Sequence, residues 1–400
     1  MNSPAKGPLD GLTLLDLSRD LAGPFGTVIL ADLGARVIKV EAPGQHSNHD
    51  GHAAKDDASA EDARYFGLAR NKERVVLNLA SERGREIFLA MVGHADVVFT
   101  DYPREVMAAL GLDDATLSAA NPSVLSVSLS PFGAYGPYSD RPGSELVVQA
   151  LAGGMSMTGE PGRAPVQAGN PIAGLSGGMW AAIAILAAIR GRDEHLAEGG
   201  AIDIALFDGQ LAMVPYFAAY YFLDGSVPGP QGSGGHSPTY GAFRCSDDRY
   251  VIIAAIDQVP WSKLCDALRR PDLFDDERFA TSHLRASNSD VLTDVLQSEF
   301  SKLPAAEWDE RLYAADLAYA RVNRLDEALT DPQVIHRGMI AEVLGQQGDN
   351  VRVVGNPVKY RAFPPRMQAP AARGEHTDAV LAELGLGLAE IGELRSNGVI

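Results

Sequence analysis

LDGLTLLDLSRDLAGPFGTVILADLGARVIKVEAPG, running from Leu9 to Gly44, is the stretch whose reading decides the fold. Within it, LTLLDLS is a short apolar run of strand type, and LAGPFGTVILADLGA has helical apolar spacing with Gly34 placed as a C-cap. RVIKVEAPG is then a β-branched run stopped by Pro43 and Gly44. Strand, helix and strand in this compass make a βαβ unit. The pattern repeats downstream through ERVVLNL, SERGREIFLAMVGHA, DVVFTDY, a short helix near REVMAALGL, and SVLSVSLSPFG. Strands alternating with helices predict an α/β fold, a mostly parallel sheet with helices on both faces.

A chain of 400 residues exceeds what one core usually supports, so two domains are expected. The Gly/Pro/Ser-rich segment GSVPGPQGSGGHSP marks the linker. It spans 223–235, ending a first domain of residues 1–222, and a second, smaller domain is expected to begin at 236. In the small domain RYVIIAAI reads as a strand followed by amphipathic helices, and GMIAEVL with NVRVVGNPVKY reads as a later strand pair.

Hydrophobic residues make up 46% of the chain and charged residues 22%, the balance of a soluble globular protein. A formal net charge of −18 argues against nucleic acid and against an anionic membrane surface as partners. A polyanionic small molecule would need a local basic pocket. Cys245 and Cys265 form no CxxC pair or disulfide framework, in keeping with a cytoplasmic location, and the N-terminus shows no secretory h-region. The uncharged run Val166–Ile189 is long enough to cross a bilayer, but its first half is rich in Gly, Pro, Asn and Ser. It reads as a loop entering a buried core helix, GGMWAAIAILAAIRGR.

Several motifs invite chemistry and fail on context. Glu41 stands where a ribose-binding acid would, yet the turn DLAGPFG is not GxGxxG, so a structural turn is expected there. His46, His49 and His52 fall in a Gly/Asn-rich loop without a second ligand cluster, so no metal is expected. GLSGG satisfies the nucleophile-elbow pattern by letter around Ser176, but no strand leads into it. GPQGSGG lacks the GK[ST] ending of a phosphate loop, and Gly232, Gly234 and Gly235 read instead as a linker or active-site lid.

Taken together, the Leu9–Gly44 stretch, YFGLARNKERVVLNL, SPFGAYGPYSDRPG, QALAGGMSMTGEPGRAPVQAGNPIAG, AIDIALFDGQLA, DEALTDPQVIHRGMI and GEHTDAVLAELGL resemble the family III CoA-transferases, the CaiB/BaiF group that includes formyl-CoA transferase. The likeness runs in order along nearly the whole chain. It implies a large Rossmann-like domain begun by residues 1–222 and completed by a return of the chain over 336–400, a smaller α+β domain over 236–335 between them, and interlocked dimers. It also implies a mechanism: an Asp carboxylate attacks an acyl-CoA thioester, giving a mixed anhydride and free CoA thiolate. The thiolate then attacks the enzyme anhydride, and the acceptor acid leaves as a new CoA ester. Coenzyme A or acyl-CoA is thus implied as substrate, with no covalently bound cofactor. Leu21, Ala22, Leu77, Asp101, Tyr102 and Arg104 are the positions implied to line its path.

The family's nucleophile sits in a P-I-A-D motif. Here that motif reads Pro171-Ile172-Ala173-Gly174, so no anhydride can form at that position. The related racemases use a His in a G-H-D turn, which here reads Gly143-Ser144-Glu145. Glu145 matches an acid present in several transferases and is the surviving catalytic candidate, against the plainer role of a helix N-terminal Glu stabilised by the dipole. Cations are missing too. An Arg that often follows the acid of IKVE is Ala42, one before LGL is Ala109, and N-F-R-P-G reads Asp101-Tyr102-Pro103-Arg104-Glu105. Arg70, Lys72, Arg74 and Arg104 are the nearby cations that could compensate. Three readings follow: CoA transfer between a thioester and a carboxylic acid, in a homodimer or in a heterodimer with an Asp-bearing paralogue; a catalytically silent subunit or ligand-binding protein; or altered acyl-CoA chemistry of racemase or lyase type.

Overall fold

The computed structural model describes residues 7–19, 21–44, 67–196, 198–235, 237–344, 350–363 and 367–400. His46, His49 and His52 lie outside them. The chain forms two compact units. One comprises residues 1–154, 168–225 and 333–400, and the other residues 155–167 and 226–332.

The first unit is built on a six-stranded parallel sheet of β1 (Thr13–Asp16), β2 (Arg36–Glu41), β3 (Lys72–Val76), β4 (Val97–Thr100), β5 (Leu125–Ser130) and β6 (Gly200–Ala205). Their order across the sheet is β3-β2-β1-β4-β5-β6, with every neighbouring pair parallel. This is the doubly wound order whose direction reverses between β1 and β4. The strands read as continuous apolar runs because both faces are covered. Leu15, Ile38, Val75 and Val98 enter one core, while Leu14, Val37, Val97 and Phe99 enter the other.

On the second face, α1 (Ala22–Asp32) lies against the long helix Ile172–Asp193. Glycine sets their approach, since an added Cβ on Gly26 would stand 2.7 Å from the Gly178 carbonyl oxygen. Gly26 therefore serves helix packing, while an added Cβ on Gly23 would meet Ser18 at 2.2 Å, so both glycines of this turn answer to packing within the fold. Further helices used below are α2 (Glu82–Val92), α3 (Arg104–Ala109), α4 (Asp114–Ala120), α5 (Glu145–Leu151), α6 (Ile172–Asp193), α7 (Leu206–Leu211) and α8 (Pro215–Asp224). Helix α6 is apolar and long enough to cross a membrane by length and composition. Its Ala173, Ala181, Ala182 and Ile185 are buried, whereas Met179, Trp180 and Ile183 are exposed, so it is a one-faced core helix rather than one buried all round.

The chain's end returns to the first unit. Val380 and Leu381 of the helix Thr377–Glu383 and Ile391 and Leu394 of the helix Leu388–Ser396 join the first core. The expected strand pair is the antiparallel hairpin β10 (Ile340–Leu344) and β11 (Asn350–Val354). The second unit holds the antiparallel sheet β7 (Tyr240–Arg244), β8 (Tyr250–Ala254) and β9 (Ala318–Arg321), under helices that bury Trp261, Phe279, Phe300 and Trp308. Residues 155–167 group with the second unit, and Gly232 N–H donates to the Gly159 carbonyl at 2.9 Å within it.

Candidate active site

The start of α6 is set by a distant side chain. Its first turn carries backbone N–H groups with no partner inside the helix. The Glu145 carboxylate supplies one: Oε1 accepts from Ala173 N at 2.9 Å and Oε2 from Gly174 N at 2.8 Å. Oε1 also accepts from Gln149 Nε2 at 2.7 Å. Gln149 is itself buried, and its Oε1 accepts from Ala168 N at 2.9 Å. Because of this cap the helix begins at Ile172, with Pro171 in the N-cap position, rather than at the Gly-Gly pair where composition places it.

Glu145 is thus the first residue of α5 and the cap of α6 at once. Each hydrogen bond to such a charged acceptor contributes about 1.5–3 kcal/mol. A carboxylate whose oxygens are so engaged is a poorer nucleophile than a free one. Ser176, the elbow-like residue, is buried within α6 and its Oγ donates to the Ala173 carbonyl at 3.1 Å, a helix-internal bond with no acid–base partner.

Leu21 and Ala22 meet the same spot. A Cβ added to Gly174 would lie 3.3 Å from Glu145 Oε2, 3.6 Å from Leu21 Cδ2 and 3.8 Å from Ala22 Cβ. Two residues before Leu21, the Arg19 guanidinium stacks on the Tyr102 ring with 3.9 Å to its centroid. Arg19 N and Nε donate to Asp101 at 2.6 and 3.3 Å. Arg19 follows β1 and Asp101 follows β4, so the cluster stands at the carboxyl ends of the two strands where the sheet order reverses, the usual ligand crevice of such sheets. Arg19 offsets the charge of Asp101 at the mouth of this crevice. Arg19 itself was not singled out in the sequence; its position directly after an acid-ended strand was the available signal.

The remaining expected residues fall elsewhere. Leu77 is fully buried in the first core. Arg104 opens α3 and is exposed. Gly232, Gly234 and Gly235 lie in the second unit, where Ala242 N–H donates to the Ser233 carbonyl and a Cβ on Gly235 would stand 2.4 Å from the Tyr240 carbonyl oxygen. Glu41, the ribose-acid candidate, forms a two-pronged pair with Arg74 at 2.6 and 2.9 Å.

Three of the four cations expected to compensate for the missing arginines are engaged inside the fold. Arg70 pairs with buried Asp32 at 2.7 Å, and Arg74 with Glu41. Lys72 is buried against Asp16 Oδ2 at 3.1 Å, Thr27 Oγ1 at 2.7 Å and the Pro24 carbonyl at 3.1 Å. Burial lowers the Lys72 ammonium to a pKa of about 8 against the pull of Asp16. Burial by itself would raise the Asp16 carboxyl. Lys39 and Lys72, with the hydroxyls of Ser18 and Thr27, overcome that and hold it far below the ordinary carboxylate range. Among the described residues, no group of three or more His, Cys, Asp or Glu could hold a metal ion.

Comparison with known proteins gives a consistent result. The family model described as CoA-transferase family III matches residues 9–377. The acetyl-CoA:oxalate CoA-transferase of Acetobacter aceti is 35% identical over 370 residues, covering 92% of this chain and 92% of that protein. The human succinyl-CoA:glutarate CoA-transferase is 30% identical over 404 residues, covering 98% and 90%. The crystal structure of a CaiB/BaiF family protein from Brucella suis superposes with a TM-score of 0.83 at 31% identity, covering 95% of this chain and all of that one.

Proposed function

Since this chain belongs to CoA-transferase family III, we propose that it serves CoA transfer between an acyl-CoA thioester and a carboxylic acid as one subunit of a complex, with the acyl-carrying carboxylate supplied by an Asp-bearing paralogue. The observation that carries this is Gly174: the P-I-A-x position offers only a hydrogen, and the neighbouring Glu145 carboxylate is taken up by three N–H donors that cap α6 and brace α5. A group so engaged would have to uncap a helix to attack a thioester. The chain's own part is to present the crevice at the β1 and β4 ends, where Arg19, Leu21 and Tyr102 line a path toward Gly174. An interlocked assembly in the cytoplasm belongs to the same proposal. It is supported by the exposed aromatic and apolar side chains of α8, Tyr216, Tyr220, Tyr221, Phe222 and Leu223, which a partner would cover.

One feature favours a second reading. Glu145 Oε2 stands 2.8 Å from Gly174 N, beside the place the family's nucleophile would fill, so Glu145 is the residue placed to attack if this chain acts alone. A single experiment separates the two. The purified chain is incubated with an acyl-CoA donor, an acid acceptor and hydroxylamine, and covalent adducts are sought by mass spectrometry. The subunit reading expects no hydroxamate and no adduct until the paralogue is added. Turnover by the chain alone, abolished in Glu145→Gln, would instead assign the chemistry to Glu145. In either case Glu145→Ala, which strands two N–H groups of α6, lowers stability by about 2 kcal/mol while Glu145→Gln costs less, as thermal unfolding would report.

A further inference from the structure

We propose that Arg373, contributed by the C-terminal segment, is the cation that receives the phosphate on the ribose of coenzyme A, and that it stands in for the arginine absent at Ala42. This rests on the reading above that the chain binds a CoA thioester. Arg373 Nη2 donates to the carbonyl oxygen of Ala42, the residue directly after β2, although 331 residues separate the two. Its Nε is buried and has no partner. Among the described residues no carboxylate pairs with it. It differs in this from Arg70, Lys72 and Arg74, each of which is closed off by an acid.

The placement of Arg373 is built, not incidental. β3 is the edge strand of the sheet, and the C-terminal segment is tied along it. Arg74 Nη1 donates to the Ala371 carbonyl at 3.2 Å, His376 N to the Arg74 carbonyl at 3.0 Å, and Val76 N to Thr377 Oγ1 at 3.0 Å. Gly374, at φ +70°, turns the chain there, and a Cβ on it would press on Val76 at 3.1 Å. Ala372 N is fixed by Glu375 at 2.6 Å. These bonds carry Arg373 across the end of β3 to the end of β2. In a doubly wound sheet that is where the ribose of an adenosine ligand lies and where an arginine meets a ribose phosphate. A guanidinium is suited to it, offering a planar set of donors to phosphate oxygens. In a protein of net charge −18, a local cation of this kind favours the approach of a polyanion that the rest of the surface repels.

The test is calorimetric titration of the full chain with CoA and with 3′-dephospho-CoA, which lacks only the ribose phosphate. The wild-type chain should bind CoA about tenfold more tightly than the dephosphorylated form, the factor expected of one charge-assisted contact. Arg373→Gln should erase that preference by weakening CoA alone, and Arg373→Lys should restore part of it. Unfolding temperature should change little in either variant, because the side chain makes a single bond to a carbonyl. If the wild-type chain binds CoA but shows no preference, or keeps it in Arg373→Gln, the assignment of Arg373 is overturned and the CoA reading stands. If the wild-type chain binds neither form, both are overturned.

Discussion

Gly174→Asp gives this chain the ability to carry an acyl group. Incubated with an acyl-CoA and hydroxylamine, the variant should form hydroxamate at least about 100-fold faster than the wild-type chain, a difference of about 2.7 kcal/mol in barrier height. The site accepts the change. The new Cβ falls in ordinary contact with Leu21 and Ala22, and only Glu145 Oε2, at 3.3 Å, must give by a few tenths of an ångström. That atom ends a flexible side chain, so the adjustment is small. Asp in the first turn of α6 also gains from the helix dipole, by about 0.3–1 kcal/mol, and removing a helical glycine adds about 0.5–1 kcal/mol. Against these stands the repulsion of a second carboxylate beside Glu145. The sum should leave the unfolding temperature near that of the wild-type chain. Glu145 keeps its N–H donors and goes on capping the helix, while the new carboxylate is unbound and available. A folded Gly174→Asp protein that binds CoA yet yields no adduct would mean that the acyl pocket, and not merely the nucleophile, has been lost.

The βαβ opening of the chain was legible because its physics is local. Leu14 and Leu15 point to opposite, equally buried faces, and the glycine at 34 takes a positive φ of 105° at the end of α1. The parallel sheet followed from that unit and its repetition. The start of α6 was not legible, since its cap is a side chain 28 and 29 residues earlier in the chain, and no local signal marks Ile172 as helical. The same limit governs the charges. Arg70, Lys72 and Arg74 look like free cations in the sequence, and their acids, Asp32, Asp16 and Glu41, lie 38, 56 and 33 residues away. Pairing across a sheet is invisible until the strand order is known. Arg373 shows the converse: an arginine near the chain's end, 331 residues from Ala42, is brought to the end of the second strand. Reading Gly174 as the family's nucleophile position rests on the register of the P-I-A-x motif alone, because a glycine in a Gly-rich helix start carries no chemical signal of its own.

Asp16→Asn should destabilise the first unit by about 3–5 kcal/mol, because it leaves the Lys72 ammonium buried without its counter-charge. Thermal unfolding should fall by an amount on the order of 10 °C. Asp16 is fully buried at the end of β1, and it collects Ser18 N at 2.9 Å, Ser18 Oγ at 2.5 Å, Thr27 Oγ1 at 2.7 Å and Lys72 Nζ at 3.1 Å. It thereby joins β1, the turn toward Arg19 and Leu21, α1 and β3 in one network. Two pH effects identify the charge as the cause. The folded pKa of Asp16 lies below that of the unfolded chain, so its stabilisation is complete above about pH 4 and is lost as pH falls toward the folded value. The acid limb of the wild-type stability profile should therefore be steeper than that of the variant. Lys72 has a folded pKa of about 8, below its ordinary value of 10.5, so the unfolded chain binds more protons between those limits and stability rises with pH across them. Without Asp16 to favour the charged form, that rise should begin at lower pH, and the gap between variant and wild type should narrow between about pH 7 and pH 9. Replacing Lys72 as well, in Asp16→Asn/Lys72→Met, removes the stranded charge and should recover much of the loss. A single variant that melts within about 2 °C of wild type would show that water reaches this network and that the charge at Asp16 does not anchor the turn bearing Arg19 and Leu21.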